Sequence, residues 1–407
     1  MRVSAKRWTA AIATVAVVVA TAGCSSASTP SEPESATTTS PAPMATPLIG
    51  AVVAPPVAVP ATDGRTHLAY EVTLTNALSG NATLNSLTVK SGDRELLTLA
   101  GDNLTYWTRL MGNTAAPAKV IGPGQTAIVW IDLAVDNGAV PTDITHSVRL
   151  TVAKPIPGLV PADVTQDVAP VTVSTHKPVS ISPPLDGPNW VDANSCCDMT
   201  AHRMALNPIN GKLWASERFA IDYVQLTDDF RLFDGDPTKT ESYRYFGAPI
   251  HAVGTGKVVA VTDNLPEQIP TKTPSGLSLD QYGGNHIVQD LGDGNYAFYA
   301  HLQPGSITVK VGDELSAGQT IAKLGNSGNS DAPHLHFHVI DGPDPLMANG
   351  LPFVIKQFRL EQRIASQADL DKLFTSGQAP MQPGFAARDV SELSPLVLDV
   401  MGYSAAQ

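Results

Sequence analysis

The sequence predicts a mostly β protein, with an immunoglobulin-like β-sandwich in its N-terminal half and a second β domain after it. The composition of 33 prolines and 32 glycines with only 16% charged residues favours strands and turns over long helices. Several segments alternate apolar and polar residues, which is the pattern of strands with one buried face. The 407 residues with 43% hydrophobic content are enough for two domains. The net charge of −12 argues against nucleic acid as a partner.

Residues 1–24 have the pattern of a targeting segment. Basic residues at Arg2, Lys6 and Arg7 precede an apolar run from Trp8 to Ala20, which is short for a transmembrane helix. The small residues before Cys24 resemble the lipobox of bacterial lipoproteins, which implies a lipid on Cys24 and a chain tethered to the cell membrane on its extracytoplasmic face. Secretion without a lipid stays open as an alternative. The Ser, Thr and Pro residues of 25–48 predict a disordered linker.

Residues 49–180 are predicted to form the β-sandwich. Alternation is clear in four segments, 67–75, 84–89, 127–133 and 146–152, and Gly- and Asn-containing turn sequences separate them. This region contains no constellation of catalytic residues, so we expect a spacer or adhesion module.

The stretch Asp331–Val339 predicts a strand with a chemical role. His334, His336 and His338 alternate with three apolar residues, so all three imidazoles share one face. Imidazoles two residues apart on a strand are close enough to converge on one ion or one substrate group.

Residues 186–375 resemble the lysostaphin-like zinc metalloendopeptidases, which cleave peptide cross-links of bacterial cell walls. The resemblance covers roughly 215–345 and depends on three sequence elements, which are Tyr299-Ala-His-Leu302, Gly312-Asp followed by Ala317-Gly-Gln319, and His334-Leu-His-Phe337. It implies an antiparallel β metallopeptidase domain with one zinc ion in a groove and peptidoglycan peptide as the substrate.

The resemblance also implies roles for individual residues. Asp222 and His336 match two zinc ligands, and His334 and His301 match the pair of histidines that handles protons. One residue departs from the ligand pattern of the family. Arg218 occupies the position of the first ligand histidine. A guanidinium has no lone pair to offer a metal.

Three outcomes stay open for this departure. Another residue completes the site, with His202 as the leading candidate beside the alternatives His338, Glu217 and Cys197. Otherwise the site is degenerate and Arg218 pairs with Asp222, or a different metal binds.

These outcomes separate three functions. The first is a zinc endopeptidase of peptidoglycan, the second is a non-enzymatic wall-binding or hydrolase-activating module, and the third is a phosphotransfer domain, which the export signal disfavours. The sequence leaves open whether a protein regulator acts on the groove. It also leaves open whether Cys196 and Cys197 are free, bridged to each other or bridged to a second chain. We further expect a helix over Gln362–Leu373 and a loosely packed tail over 376–407.

Overall fold

Antiparallel sheets are the main regular secondary structure in the computed structural model, which describes residues 44–404. The predicted signal peptide, the lipidation site Cys24 and most of the predicted linker lie outside the described residues. Within residues 44–404, no helix is both long and apolar enough to cross a bilayer. The mostly β fold class predicted from the sequence is confirmed.

The N-terminal part contains eleven strands and one short helix, α1 (Gly101–Tyr106). The strands are β1 (Leu48–Val52), β2 (Ala58–Pro60), β3 (Thr66–Asn76), β4 (Ala82–Ser91), β5 (Arg94–Ala100), β6 (Thr108–Leu110), β7 (Asn113–Pro117), β8 (Val120–Ile121), β9 (Thr126–Val135), β10 (Asp143–Val152) and β11 (Asp163–Thr172).

These strands form two sheets. One has the order β1-β3-β9-β6-β7 with β2 beside β3, and the other has the order β11-β10-β4-β5 with β8 beside β4. Leu68, Tyr70, Val72 and Leu74 of β3 belong to an apolar core to which strands of both sheets contribute. The two sheets therefore enclose one core, while the immunoglobulin-like character of this N-terminal sandwich stays a prediction.

The opposite face of β3 is also buried, although alternation predicts that it faces solvent. Ala69 and Glu71 each have no exposed surface, and neither does Trp130, the cross-strand partner of Glu71 on β9. Ala69 belongs to an apolar cluster with Cys196 and Phe219 of the second half of the chain. The second half therefore covers this face, and Ala45 onward forms one compact unit.

The second part contains seventeen strands and the helices α2 (Ala201–Met204) and α3 (Gln367–Ser376). The strands are β12 (Val179–Ile181), β13 (Gly187–Ala193), β14 (Asn207–Ile209), β15 (Lys212–Trp214), β16 (Ile221–Gln225), β17 (Pro249–His251), β18 (Gly256–Thr262), β19 (Asn285–Gly292), β20 (Asn295–Leu302), β21 (Glu314–Leu315), β22 (Thr320–Lys323), β23 (Leu335–Ile340), β24 (Gly350–Leu351), β25 (Phe353–Ile355), β26 (Phe358–Arg363), β27 (Arg388–Val390) and β28 (Asp399–Tyr403).

The large sheet has the order β21-β18-β19-β20-β23-β16-β13-β28-β26-β27, with β24 beside β23. The histidine strand β23 lies near its centre, between β20 and β16. Leu335, Phe337 and Val339 enter the main core, so the alternating histidines face the other side. The predicted strand and the shared face of its imidazoles are both present.

The predicted tail is wrong in its packing. β28 lies between β13 and β26, and all five of its residues are buried. A strand buried on both faces has no alternation, so the sequence pattern gave no signal for it. The sheet therefore extends beyond the predicted domain boundary at 375.

The predicted helix is displaced toward the C-terminus. α3 begins after Ser366, whose hydroxyl accepts from the backbone N–H of Asp369, and ends at Gly377 in the left-handed conformation with φ 77°. Leu370 and Leu373 are buried as predicted, whereas residues 358–363 form β26.

Candidate active site

Asp222 and His336 are direct neighbours on adjacent strands. They pair across β16 and β23, and Oδ1 of Asp222 lies 2.9 Å from Nδ1 of His336. Both side chains are buried. Two residues 114 positions apart in sequence are thus brought together by one register pair, as the resemblance implied.

His202 approaches Asp222 from a different element. It lies on α2, where Nε2 of its ring is 3.2 Å from Oδ2 of Asp222. Its Nδ1 donates to the carbonyl oxygen of Ala220 at 3.0 Å, which fixes the orientation of the ring. The side chain of Thr200 caps the helix by accepting from the backbone N–H of Arg203. His202, Asp222 and His336 therefore present one ligand atom each to a common point.

The chemistry of these three donors fits zinc. Two imidazoles and one carboxylate are a usual set for a catalytic site, which leaves a further position for water. A neutral His202 that donates through Nδ1 has a bare lone pair at Nε2, and this lone pair faces a carboxylate oxygen. Such a contact is favourable only with a cation or an added proton between the two atoms. Either a bound cation or a protonated His202 satisfies this contact, so the three donors are compatible with a metal centre.

The ring of His334 contacts the carboxylate of Asp222 as well. Its Nε2 is 3.2 Å from Oδ1 of Asp222, and its Nδ1 donates to the carbonyl oxygen of Ala332 at 2.8 Å. His301 is the penultimate residue of β20, and its Nδ1 donates to the carbonyl oxygen of Ser327 at 2.7 Å. The centroids of these two histidine rings are 4.6 Å apart. Both rings therefore direct Nε2 away from a backbone carbonyl.

The backbone at His301 is left-handed, with φ 60°. Histidine visits this region more often than most side chains, yet the conformation still has a cost in free energy. The backbone N–H of His301 donates to the carbonyl oxygen of Gly283 at 3.0 Å, which holds the residue in place. Strain of this kind clusters at functional sites.

The protonation of the cluster follows from burial and from the Asp222 charge. Burial opposes charge on His202, but the adjacent Asp222 carboxylate outweighs this effect and raises the pKa of His202 to about 9. Burial, with His334 and His336 nearby, holds the pKa of His301 well below its ordinary value. Burial also opposes charge on Asp222, yet the neighbouring His202 and His334 lower the pKa of this carboxyl well below its ordinary value.

Arg218 does not pair with Asp222, so the pairing named in one of the three open outcomes is wrong. Both Nε and Nη2 of Arg218 donate to the carboxylate of Glu71 on β3. The guanidinium is buried beneath the N-terminal sandwich, which supplies a carboxylate that the sequence of the second domain alone does not reveal. The ligand cluster of Asp222 is therefore free of an arginine.

Among the described residues, the other predicted candidates stay outside the two ligand sets that contain His336, and Cys197 belongs to a separate set with His67 and Asp132. His338 is 1% exposed, its ring stacks on Phe298 at 5.0 Å, and burial lowers the pKa of its ring well below the ordinary value. Cys197 is joined to Cys196 in a disulfide, so it offers no thiolate. Glu217 lines the cavity beside the cluster.

Asn194 is a site residue that sequence reasoning missed. Its Nδ2 donates to Oδ2 of Asp222 at 2.9 Å, and its backbone is left-handed with φ 62°. The asparagine orients the carboxylate, as outer partners of metal ligands commonly do. An asparagine two residues before Cys196 was the only signal available, and it indicates a turn rather than a site.

A groove passes over the cluster. The cavity has a volume of about 920 Å³, and its lining includes His202, Asp222, His301, His334 and His336. Tyr282 and Met347 add apolar surface to its walls. A volume of this size lies near the upper end of the range of ligand-binding clefts, roughly 300–1,000 Å³.

Part of the chain matches a known protein family. Residues 242–347 match peptidase family M23. The match confirms the resemblance to lysostaphin-like peptidases drawn from the sequence. The M23 segment contains His301, His334 and His336, whereas His202 and Asp222 precede it.

Two relatives of the M23 segment are named enzymes. The peptidoglycan DD-endopeptidase ShyA of Vibrio cholerae is 31% identical over 138 residues, which is 30% of this chain and 28% of that enzyme. Lysostaphin of Staphylococcus simulans is 38% identical over 92 residues, which is 22% of this chain and 15% of that protein. The chain thus spans less than a third of the length of either relative.

The solved catalytic domain of lysostaphin from Staphylococcus simulans is also similar to this chain. It has 23% sequence identity and a TM-score of 0.22, and the match covers 40% of this chain and 85% of that chain.

Proposed function

We propose that this chain is a zinc endopeptidase that hydrolyses peptide bonds of peptidoglycan. The observation that carries the proposal is the convergence of His202, Asp222 and His336 beside His301 and His334 in one groove. The relative ShyA is named a peptidoglycan DD-endopeptidase, which supports both the reaction class and the substrate class. That peptidoglycan is the substrate of the whole protein is also proposed.

His202, Asp222 and His336 would hold the ion. Zinc in this position supplies a Lewis acid and a bound water whose pKa lies near neutrality. Asn194 holds Oδ2 of Asp222, and the carbonyl oxygen of Ala220 holds the ring of His202. These contacts keep the ligand atoms in place before substrate arrives.

His334 and His301 would move the proton. In both rings Nδ1–H is bound to a backbone carbonyl, which leaves Nε2 as the atom that gains or loses a proton. We assign to His334 Nε2 the proton of the attacking water, since this atom lies beside Asp222. We assign to His301 Nε2 the stabilisation of the carbonyl oxygen or the return of a proton to the leaving amine.

The alternative is a wall-binding or activating module, which Arg218 at the position of a ligand histidine favours. Arg218 binds Glu71 and not Asp222, so it does not occupy the place of the ion. The alternative remains one outcome of the experiment below.

The test measures metal and hydrolysis in the same purified full chain. We expect one equivalent of zinc, and release of new amino termini from purified wall material. His336→Ala should lose both. His176→Ala is the matched control, because this half-buried histidine bonds to Asn295 at 2.9 Å outside the ligand cluster. Zinc binding without new amino termini would favour the binding module, and a chain that takes up no zinc would refute the metal centre.

We further propose that a lipid on Cys24 holds the enzyme at the extracytoplasmic face of the cell membrane. The basic and apolar N-terminal sequence ending in small residues before Cys24 supports this. Incorporation of a labelled fatty acid into the wild type but not into Cys24→Ala would support it. An unlabelled wild type that is found in the medium would indicate plain secretion.

A further inference from the structure

A buried carboxylate of the N-terminal sandwich lies against the second half of the chain. Glu71 has no exposed surface, and alternation along β3 directs it away from the sandwich core that holds Tyr70 and Val72. Both of its oxygens accept from Arg218. Oε1 also lies 3.6 Å from Nη1 of Arg203. One carboxylate therefore serves two guanidiniums.

These two arginines belong to the segments that carry two of the three proposed ligands. Arg203 follows His202 directly on α2. Arg218 lies in the segment that leads into β16, four positions before Asp222. Glu71 thus links the His202 segment to the Asp222 segment from outside both.

The sandwich holds α2 by further contacts. Nε1 of Trp130 donates to the carbonyl oxygen of Arg203 at 2.6 Å, and Nη2 of Arg203 donates to the carbonyl oxygen of Ile131 at 3.2 Å. Just before the helix, the hydroxyl of Tyr106 donates to Asp198 at 2.6 Å. Each contact joins the sandwich to the His202 segment.

α2 needs this support because it is only four residues long. A single helical turn is not stable by itself in water, since the cost of nucleation exceeds the gain from one or two hydrogen bonds. The position of His202 therefore depends on what surrounds the helix. Arg203 is 1% exposed, and the nearby carboxylate of Glu71 offsets part of the cost of burying its charge.

We propose that the N-terminal sandwich is a structural part of the metal centre, with Glu71 as the positioning residue that holds the His202 and Asp222 segments in register through Arg203 and Arg218. The proposal rests on the proposed function, because it takes His202 and Asp222 as ligands. It assigns the sandwich a role in metal affinity, in place of the spacer or adhesion role expected from the sequence.

The test is the affinity of the full chain for Zn²⁺, measured by competition with a chromophoric chelator. The visible absorption of the Co²⁺ form reports the ligand geometry independently of activity. Glu71→Gln keeps the size of the side chain and removes the charge, and we expect a loss of affinity of about 10- to 100-fold with an altered Co²⁺ spectrum.

Tyr70→Phe is the matched control. Tyr70 precedes Glu71 on β3, faces the sandwich core and bonds to Nε2 of His146 at 2.9 Å. This variant removes a buried hydrogen bond from the same strand without touching α2. We expect its Zn²⁺ affinity and Co²⁺ spectrum to match the wild type.

Trp130→Phe covers the case in which Glu71→Gln does not fold. It keeps a buried aromatic ring and deletes the bond to the Arg203 carbonyl, so a loss of Zn²⁺ affinity of several-fold is expected. Folded Glu71→Gln or Trp130→Phe with wild-type affinity would overturn the inference, as would an equal loss in Tyr70→Phe. If the wild type binds Zn²⁺ and His336→Ala does not, such a result leaves the proposed function standing. A wild type without Zn²⁺ affinity overturns both.

Discussion

Replacing His202 with alanine tests the one proposed ligand that does not match a ligand position of the family. The described residues contain two overlapping sets of three donors near the groove, and His336 belongs to both. One set adds His202 and Asp222, and the other adds His301 and His334. The first set contains the mixed nitrogen and oxygen donors of a catalytic zinc site, so His202→Ala should remove a ligand.

The magnitude follows from the number of donors lost. Removing an outer partner of a metal ligand costs about 10- to 100-fold in affinity, so loss of one of three direct ligands should cost at least about 100-fold, or about 2.7 kcal/mol. Zinc at about 1,000 times the wild-type Kd stabilises the wild type by about 4.1 kcal/mol. For the variant, the same concentration is at most about ten times Kd, and the stabilisation falls to about 1.4 kcal/mol.

The assay is unfolding by urea with and without zinc, combined with chelator competition. Without zinc, the free energy of unfolding of His202→Ala should differ from that of the wild type by no more than the contribution of one buried imidazole. With zinc, the variant should gain less stability than the wild type does. His334→Ala is the companion variant, because it disrupts only the alternative set. Unchanged zinc affinity in His202→Ala together with lost affinity in His334→Ala would refute the reasoning and move the centre to His301, His334 and His336.

Three further predictions follow from other residues. His301→Ala should keep one equivalent of zinc while the release of new amino termini from wall material falls by about 10²- to 10⁴-fold, because this ring handles a proton and not the ion. Asp192→Asn should raise the free energy of unfolding at pH 8 by about 1–3 kcal/mol and have little effect at pH 4, as urea titrations at both pH values can measure. The sign follows because burial raises the folded-state pKa of Asp192, so the wild type has its full stability below the unfolded pKa and loses it as the pH rises through the folded pKa. Ending the chain after residue 387 should abolish soluble expression, since it removes β27 and the buried β28 from the main sheet.

Local periodicity was sufficient to predict several parts of the fold and of the site. The alternation over 335–340 predicted a strand with its histidines on one face. A strand with one face in the core and one face in a site repeats its residue types every two positions. The similarity of short motifs to those of a known family predicted that Asp222 and His336 lie close together, without knowledge of the strand register. In both cases the signal lies within a few adjacent residues.

Features that depend on contacts between distant segments were beyond the sequence. Glu71 is a polar residue at an alternating position of β3, and such a residue is normally exposed. Only the tertiary contact with Arg218 makes it a buried ion-pair partner. The strand β28 was missed for a related reason, since burial on both faces removes the period that would have identified it.

The substitution at Arg218 and the placement of His202 are two aspects of one arrangement. A histidine at 218 would share its segment with Asp222, so the peptidase domain could hold both ligands without help. Here that position carries an arginine whose charge is matched only by Glu71 of the sandwich, and the proposed third ligand lies on a short helix anchored to the same carboxylate through Arg203. A proposed ligand on a helix that is not stable by itself requires contacts from outside that helix. Arg218, at the position where the family has a ligand histidine, takes part in these contacts through Glu71. The departure from the family pattern is therefore better explained by a metal centre that depends on two domains than by the loss of the centre.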